Sequence, residues 1–556
     1  MFSAPKTAMG VAAIAMSFCA ALAHADETRP GQPVWTPDGL VFPDGVAIPR
    51  SLTDVERDYL RENPLEALRG ATPPPATTVR SVAEYEPMDA IIFSWSTVGS
   101  WNSIIAQMAG HITTTGNADV IVYARSTANA NSALSAIAAQ GADMSRVDVR
   151  VRFLDTIWLR DYGPRYVYQG DVRAVIDHTY NRPRPNDNAL NTHHAALQGH
   201  AFYEMPLIHG GGNYHLNALN SGHATNLVVN ENPGMTQSQV YDIWNEYQNI
   251  DTTFYTPFPT SVDSTQHIDM WMQIIGDNKI VISEWPAQQG STQSNISNAA
   301  AAALAANGWT VYRTPAVRLT SSPAAHYTYT NVVVVNDLVL IPTYTHSFIT
   351  GNNYNETALS VWQQAMPGKT IVQINCQSLV TAAGVMHCIV MHMPAHLGGD
   401  NPTAHVVTPN DAATFDPGDN VQITWLTDDR EGVSNVDLLL STDGGANFST
   451  IAAAIPDTGS YNWTVPSVFT TQGVIRVVAR NANNLTGHDD SDQFFTIGGP
   501  CPGDANGDGV VDFADLSTVL GNFGQSGAGV PGDVNGDGEV DFADLSEVLS
   551  NFGTEC

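Results

Sequence analysis

Three short clusters in this sequence carry side chains able to do covalent chemistry. They are Trp158-Leu159-Arg160-Asp161-Tyr162-Gly163-Pro164, His267-Ile268-Asp269-Met270-Trp271 and His387-Cys388. Cysteine, histidine and two aspartates are the parts of a thiol active site: a thiolate nucleophile, an imidazole acid/base and carboxylates that hold a cation. The same residue types are metal ligands, but neither CxxC nor HExxH spacing accompanies them, which argues against a metal centre. Plainer roles exist for each. Asp161 can pair with its neighbour Arg160, and His267 and Asp269 can share one face of a strand. Cys388 can be a buried core thiol, or half of a disulfide with Cys376.

A fourth cluster is doubled. Gly503-Asp504-Ala505-Asn506-Gly507-Asp508-Gly509 recurs 29 residues later as Gly532-Asp533-Val534-Asn535-Gly536-Asp537-Gly538, and Val-Asp-Phe-Ala-Asp-Leu-Ser follows each copy, one residue on. Oxygen donors at positions 1, 3, 5, 9 and 12 of a tight loop, with a main-chain carbonyl at position 7, suit Ca²⁺. In the first loop these are Asp504, Asn506, Asp508, Val510, Asp512 and Asp515; in the second they are Asp533, Asn535, Asp537, Glu539, Asp541 and Asp544. Gly509 and Gly538 permit the turn at position 6. Phe513, Leu516, Val519, Leu520 and Phe523 then follow at helical spacing. The repeat resembles a type I dockerin, which implies a small helical Ca²⁺-binding module that docks to a cohesin-like partner.

Four further stretches must fold around these clusters. Residues 26–80 are Pro-rich, with one helix expected after Thr53, where Glu56 completes a capping box; they read as an extension or pro-segment with little bearing on function. Residues 81–400 alternate short apolar strands (Ala90 to Phe93, Val120 to Tyr123, Val332 to Val335) with helical patterns such as Ser132 to Gln140. That alternation predicts α/β architecture. In residues 401–499, Val421, Ile423 and Trp425, then Val436, Leu438 and Leu440, then Tyr461, Trp463 and Val465 recur with period two, and Asp443-Gly444-Gly445 marks a turn. This predicts an antiparallel, Ig-like β-sandwich acting as spacer or binding module. Residues 500–556 hold the repeat.

Residues 1–25 read as an export signal: Lys6, an apolar run from Val11 to Leu22, and Ala23-His24-Ala25 before Asp26. The run is too short to span a membrane, and a secreted, extracellular or cell-surface protein is expected. Export permits disulfides, and Cys501 and Cys556 flank the repeat as a candidate clasp. The chain carries 23 Lys+Arg against 55 Asp+Glu, a net charge of −32. Eleven of the acids, and no Lys or Arg, lie in residues 501–556. So acidic a chain lacks the basic face that nucleic-acid binding needs. At 43% hydrophobic residues it can bury a large core.

An ordered set of motifs carries a second resemblance. Asp161 in its WLRDYGP context, Gly210-Gly211-Gly212-Asn213, His267-Ile268-Asp269, Tyr329-Thr330-Asn331 and Gly384-Val385-Met386-His387-Cys388 resemble the bacterial peptidylarginine deiminase and agmatine deiminase family of the pentein superfamily. The resemblance covers roughly residues 80–397 and implies a five-fold pseudosymmetric α/β propeller. It implies that Asp161 and Asp269 grip a guanidinium, that Cys388 is the nucleophile and that Asn331 lies near it. His267 then protonates departing ammonia and activates water, with no cofactor, while Trp158 covers the guanidinium face in a cation–π contact. The product is a ureido group, as in citrulline.

Tyr180-Asn181-Arg182-Pro183-Arg184-Pro185-Asn186-Asp187 resembles the peptidylarginine branch, where the resemblance implies that Arg182 and Arg184 hold the C-terminal carboxylate of a peptide ending in arginine. Agmatine has no carboxylate for them. After Gly-Gly-Asn-Tyr the family tends to show Asp-Gly, whereas Asn217-Ala218 stands here, a departure in one pocket loop. The expected partners are an arginine-containing peptide or a small guanidine such as agmatine. A non-catalytic binding protein on the same scaffold is the remaining alternative.

Overall fold

The structure is a computed structural model that describes residues 31–67, 72–321, 324–498, 501–527 and 529–554. The export signal expected over residues 1–25 lies outside the described residues. The helix expected after Thr53 spans Asp54–Glu62, and Thr53 and Glu56 form its capping box.

Among the described residues of 79–394, five small sheets repeat one pairing scheme. In each, two antiparallel strands are followed by a helix and then by a third strand parallel to the second. One such unit comprises Arg165–Gln169, Val172–Tyr180, the helix Leu190–Gln198 and Ala201–His209. The next three begin at His215–Leu216, Met272–Gly276 and Val333–Val335. The fifth is made by both ends of the module: Val390–Pro394 pairs antiparallel with Met88–Ser94, which runs parallel to Asp119–Ala124 beyond the helix Gly99–Thr114. Ala90, Ile91, Ile92 and Phe93 are fully buried, as expected for a parallel strand covered on both faces.

This scheme explains where the chemistry-bearing clusters fall. Each lies in the short segment just before the first strand of a unit. These segments are the turn Leu159–Tyr162, Gly211–Asn213, Ile268–Met270, the residues Thr330 and Asn331, and His387–Ile389. Equivalent positions in five units therefore converge on one place, although they are spread from Leu159 to Ile389 in sequence.

Residues 403–497 form a sandwich of a three-stranded and a six-stranded sheet. Ile423, Trp425, Val436, Leu438, Leu440, Trp463 and Val465 are buried between them, as period-two alternation requires. The boundary near residue 400 is bridged by buried charge. Asp428 accepts from Arg173 Nε at 2.7 Å and lies within 3.5 Å of His200 and His396 nitrogens.

The doubled C-terminal motif folds as two loops, each opening a helix, Phe513–Asn522 and Phe542–Ser550. Asp512 and Asp541 are the N-caps, and Asp515 and Asp544 complete capping boxes. The two copies pack reciprocally. Gly503 (φ 95°) backs onto the Val548 main chain and Gly532 (φ 99°) onto the Val519 main chain, where a β-carbon would come within 2.9 and 3.0 Å. Val511, Val519, Val540 and Val548 make the small core. Phe513, Leu520 and Phe523 lie outside it and are exposed, with Phe513 against Phe552 and Phe523 against Phe542, ring centroids 5.0 Å apart. Cys501 is disulfide-bonded, and Cys556 lies outside the described residues.

Candidate active site

The five converging segments enclose a fully buried guanidinium that belongs to the chain itself. It is that of Arg50, from the Pro-rich extension. Its Nε and Nη2 donate to the two oxygens of Asp161 at 2.9 and 2.7 Å. Its Nη1 and Nη2 donate to the two oxygens of Asp269 at 2.9 and 3.0 Å. Both acids thus form the planar, two-point contacts that a guanidinium fork favours. Nη1 also lies 2.6 Å from Cys388 Sγ, and Nη2 lies 2.8 Å from His267 Nδ1. Asp161, Asp269, Asn331, His267 and Cys388, all read from the sequence, therefore meet in one place.

The stretch read from the sequence as an extension or pro-segment, which by itself said little about function, reaches into the site. Ala47, Ile48, Arg50, Thr53 and Glu56 are buried. Nothing in the local pattern separates Arg50 from the other arginines of that stretch. Its meaning comes from the surfaces that 158–184 and 382–388 present to it.

Local geometry fixes each group. Asp161 sits on a one-turn helix and does not pair with Arg160; Arg160 reaches Glu84 instead, at 2.7 Å. His267 and Asp269 belong to a tight helical turn rather than a strand, and both face Arg50. Asn331 Nδ2 donates to Cys388 Sγ at 3.1 Å, while Asn331 Oδ1 accepts from the His387 N–H at 3.1 Å. His387 bridges Asp269 at 2.9 Å and Glu84 at 3.0 Å. Glu84 went unnoticed in the sequence, where it lies in no motif. Cys376 and Cys388 are both free, so the disulfide between them is not formed.

Close approach explains the glycines. A β-carbon on Gly212 would lie 1.8 Å from Arg50 Nη2 and 2.8 Å from oxygens of both acids. On Gly384 it would lie 2.5 Å from the Trp158 ring and 3.2 Å from Arg50 Cδ. Main chain without side chains is what lets the guanidinium enter.

The expected binding residues take different partners. Trp158 donates its indole N–H to the Ile48 carbonyl at 2.9 Å and packs edge-on to Trp101. Among the described residues its ring makes no cation–π contact within the chain. Arg184 pairs with the buried Glu56 carboxylate at 2.8 Å and donates to the Pro49 carbonyl at 2.8 Å. Arg182 Nε donates to the Arg50 carbonyl at 3.3 Å. Both arginines thus hold the backbone that carries Arg50.

The electrostatics follow from burial and pairing. Burial favours neutral acids, but the Arg50 guanidinium and His267 hold the Asp161 carboxyl well below its usual range. Against the same burial, Arg50 and His387 hold Asp269 down. Burial pushes the Cys388 thiol well up, while Arg50 pulls it down towards the thiolate. Glu84, His215 and His387 offer nitrogens and an oxygen within 4.8 Å of one another, a spacing a metal ion can use, but both His387 nitrogens are engaged by Asp269 and Glu84.

The comparisons concern the family and the fold. A family model described as Porphyromonas-type peptidyl-arginine deiminase matches residues 80–394, and one described as a Kre9/KNH-like N-terminal Ig-like domain matches 408–495. A protein from Marinomonas sp. (strain MWYL1) that bears the name agmatine deiminase is 23% identical, over 58% of this chain and 96% of its own length. Among solved structures, a protein of Porphyromonas gingivalis named as an arginine deiminase superposes with a TM-score of 0.51 at 19% identity, covering 57% of this chain and 99% of its own. The C. jejuni agmatine deiminase with substrate bound gives 0.50 at 15% identity, over 57% of this chain and 97% of its own.

Proposed function

Since the chain belongs to the Porphyromonas-type peptidyl-arginine deiminase family, whose model matches residues 80–394, we propose that it hydrolyses the guanidino group of peptidyl arginine to a ureido group and ammonia. The observation that carries this reading is the pose of Arg50: a peptide-borne guanidinium gripped by two carboxylates with Cys388 Sγ 2.6 Å from one of its nitrogens. The Cys388 thiolate attacks the guanidino carbon, held in place by Asp161 and Asp269. His267 protonates the nitrogen it faces, which leaves as ammonia, and then takes a proton from the water that displaces sulfur. Every group these steps need is a side chain of this chain. The five sheets support a five-fold pseudosymmetric propeller, the pentein arrangement, for residues 81–400.

Arg182 and Arg184 favour a peptide over a free guanidine, because both address the main-chain side of the bound arginine. Agmatine is the second reading, favoured by the names of the relatives. Export through residues 1–25 and a secreted or cell-surface location belong to the same proposal. So does a dockerin-like role for residues 500–556, with Ca²⁺ held by the loops and a cohesin-like partner on the helices. Asp504, Asp508 and Asp515 oxygens lie within 4.8 Å of one another, and the buried Asp533 Oδ1 has no hydrogen-bond partner among the described residues, both of which suit an oxygen-seeking cation. The deciding experiment is ureido production from three substrates: a peptide ending in arginine, the same peptide with arginine internal, and agmatine. Turnover of either peptide but not agmatine is expected, and the stronger peptide tells whether Arg182 and Arg184 hold a terminal carboxylate. Turnover of agmatine alone transfers the protein to the polyamine reading, and turnover of none returns it to a binding scaffold.

A further inference from the structure

Arg50 enters the site as a substrate would, with peptide bonds on both sides. Four successive carbonyls of its segment have partners in the catalytic module. Trp158 Nε1 holds Ile48 at 2.9 Å, Arg184 Nη2 holds Pro49 at 2.8 Å and Ser51 at 3.5 Å, and Arg182 Nε holds Arg50 at 3.3 Å. The Arg50 N–H donates to Ala382 O at 2.9 Å. A few residues on, Glu56 caps the helix Asp54–Glu62 and pairs with Arg184, so the segment is anchored beyond the arginine as well. The side chain then meets both acids, the thiol and the imidazole at once. Nη1 faces the nucleophile, and Nη2 faces the histidine that would protonate a leaving nitrogen.

We propose that the protein deiminates its own Arg50, an intramolecular reaction that converts residue 50 to citrulline; this rests on the deiminase reading above. Cys388 Sγ forms a bond to Arg50 Cζ. His267 gives a proton to Nη2, and the Cζ–Nη2 bond breaks to release ammonia. Water then adds to Cζ and gives one proton to His267, the C–S bond breaks and the thiolate is restored, and the second water proton leaves with the ammonia as ammonium. One water is consumed, one ammonia leaves, and nothing is oxidised or reduced. A cavity of about 220 Å³ lined by Pro49, Ser51, Asp263, Met270 and Thr381 lies beside the segment. Intramolecular delivery makes this reaction independent of any outside concentration. It also has a consequence for outside substrates. While residue 50 is arginine, the guanidinium site is filled. Once residue 50 is a neutral ureido group, Asp161 and Asp269 lose the cation that balances them, and the segment loses its strongest hold.

The test is tandem mass spectrometry of the peptide containing residue 50, from the purified full-length protein and from Cys388→Ala, with Cys388→Ser as the closer isostere should the alanine variant misfold. Citrulline at position 50 is expected in the parent and arginine in the cysteine variants, while the exposed Arg57 and Arg61 remain arginine in all. Incubating the parent with Cys388→Ala must leave arginine at position 50 of the variant; citrulline appearing there would show transfer between molecules and overturn the intramolecular reaction. A parent that turns over an outside guanidine yet retains Arg50 overturns the proposal alone. A parent that does neither overturns it together with the deiminase reading.

Discussion

Two regions of this molecule gather carboxylates, and they balance them in opposite ways. In the deiminase module, Asp161 and Asp269 are fully buried and neutralised by a cation from the same chain, with His267 and His387 as further partners. In residues 501–556, eleven acids stand with no lysine or arginine, and several lie at the surface. There the main chain is the partner: Asp515 accepts from the Ala505, Asn506 and Asp512 N–H groups, and Asp504 from Gly507 and Gly509. Main-chain dipoles orient these carboxylates without cancelling their charge. The first arrangement matches one planar organic cation by shape. The second leaves net charge unbalanced, which is what the proposed Ca²⁺ role would use.

The sharpest way to break this contrast is to remove one charge from each region. Asp269→Asn keeps the shape of the site but removes a two-point grip and leaves a buried guanidinium half balanced. Turnover of an outside guanidine should fall about 10³-fold, and stability by about 3–5 kcal/mol if Arg50 stays in place. Asp508→Asn, in the exposed loop, should leave turnover within about twofold, as surface substitutions usually do. Steady-state kinetics and thermal unfolding of the two variants decide it. Equal losses in both would mean that the two regions act as one.

How much of this was legible depended on distance along the chain. Asp161, His267, Asp269 and Cys388 sit inside compact, chemically unusual clusters, so their types and order were enough to suggest a thiol site. The capping box at Thr53 and Glu56 and the alternation in Val421 to Trp425 are local signals, and both elements formed where the pattern put them. Glu84 and Arg50 were illegible for one reason. Glu84 meets His387 across 303 residues and Arg50 meets Cys388 across 338, and no local pattern encodes such a meeting. The five-unit repeat was hidden because short apolar strands and amphipathic helices look alike in any α/β protein. Phe513 and Phe523 have helical spacing, but spacing does not say which face a small two-helix core will cover.

Chelation separates the regions by means other than mutation. If the loops hold Ca²⁺ as proposed, withdrawing it leaves their acids uncompensated, and the helices Phe513–Asn522 and Phe542–Ser550 should lose order, seen as a lower far-ultraviolet helical signal that Ca²⁺ restores. Citrulline formation by the same full-length sample should not change, because no catalytic group lies in those loops. Loss of turnover on chelation, regained with Ca²⁺, would place the ion in the chemistry.

A more local effect is expected at Glu56, a third kind of carboxylate, paired with Arg184 and serving as a cap at once. Burial alone would raise its pKa, but Arg184 and the Thr53 N–H outweigh burial and hold the carboxyl below its ordinary value. A carboxyl lowered in the folded state stabilises it fully above the unfolded pKa, about 4.3 for Glu. That stabilisation fades as pH falls through the folded-state value. The extension should therefore stay docked near neutrality and loosen on acidification below about pH 4, while Asp161 and Asp269, held lower by Arg50, are still charged. Glu56→Gln keeps the hydrogen bond to Thr53 but removes the charge opposite Arg184, at a cost of about 1–3 kcal/mol. Hydrogen exchange over residues 47–62 should rise in that variant at neutral pH and lose most of its acid dependence. Exchange that remains as slow and as acid-sensitive as in the parent would show that Arg50 alone holds the extension in place.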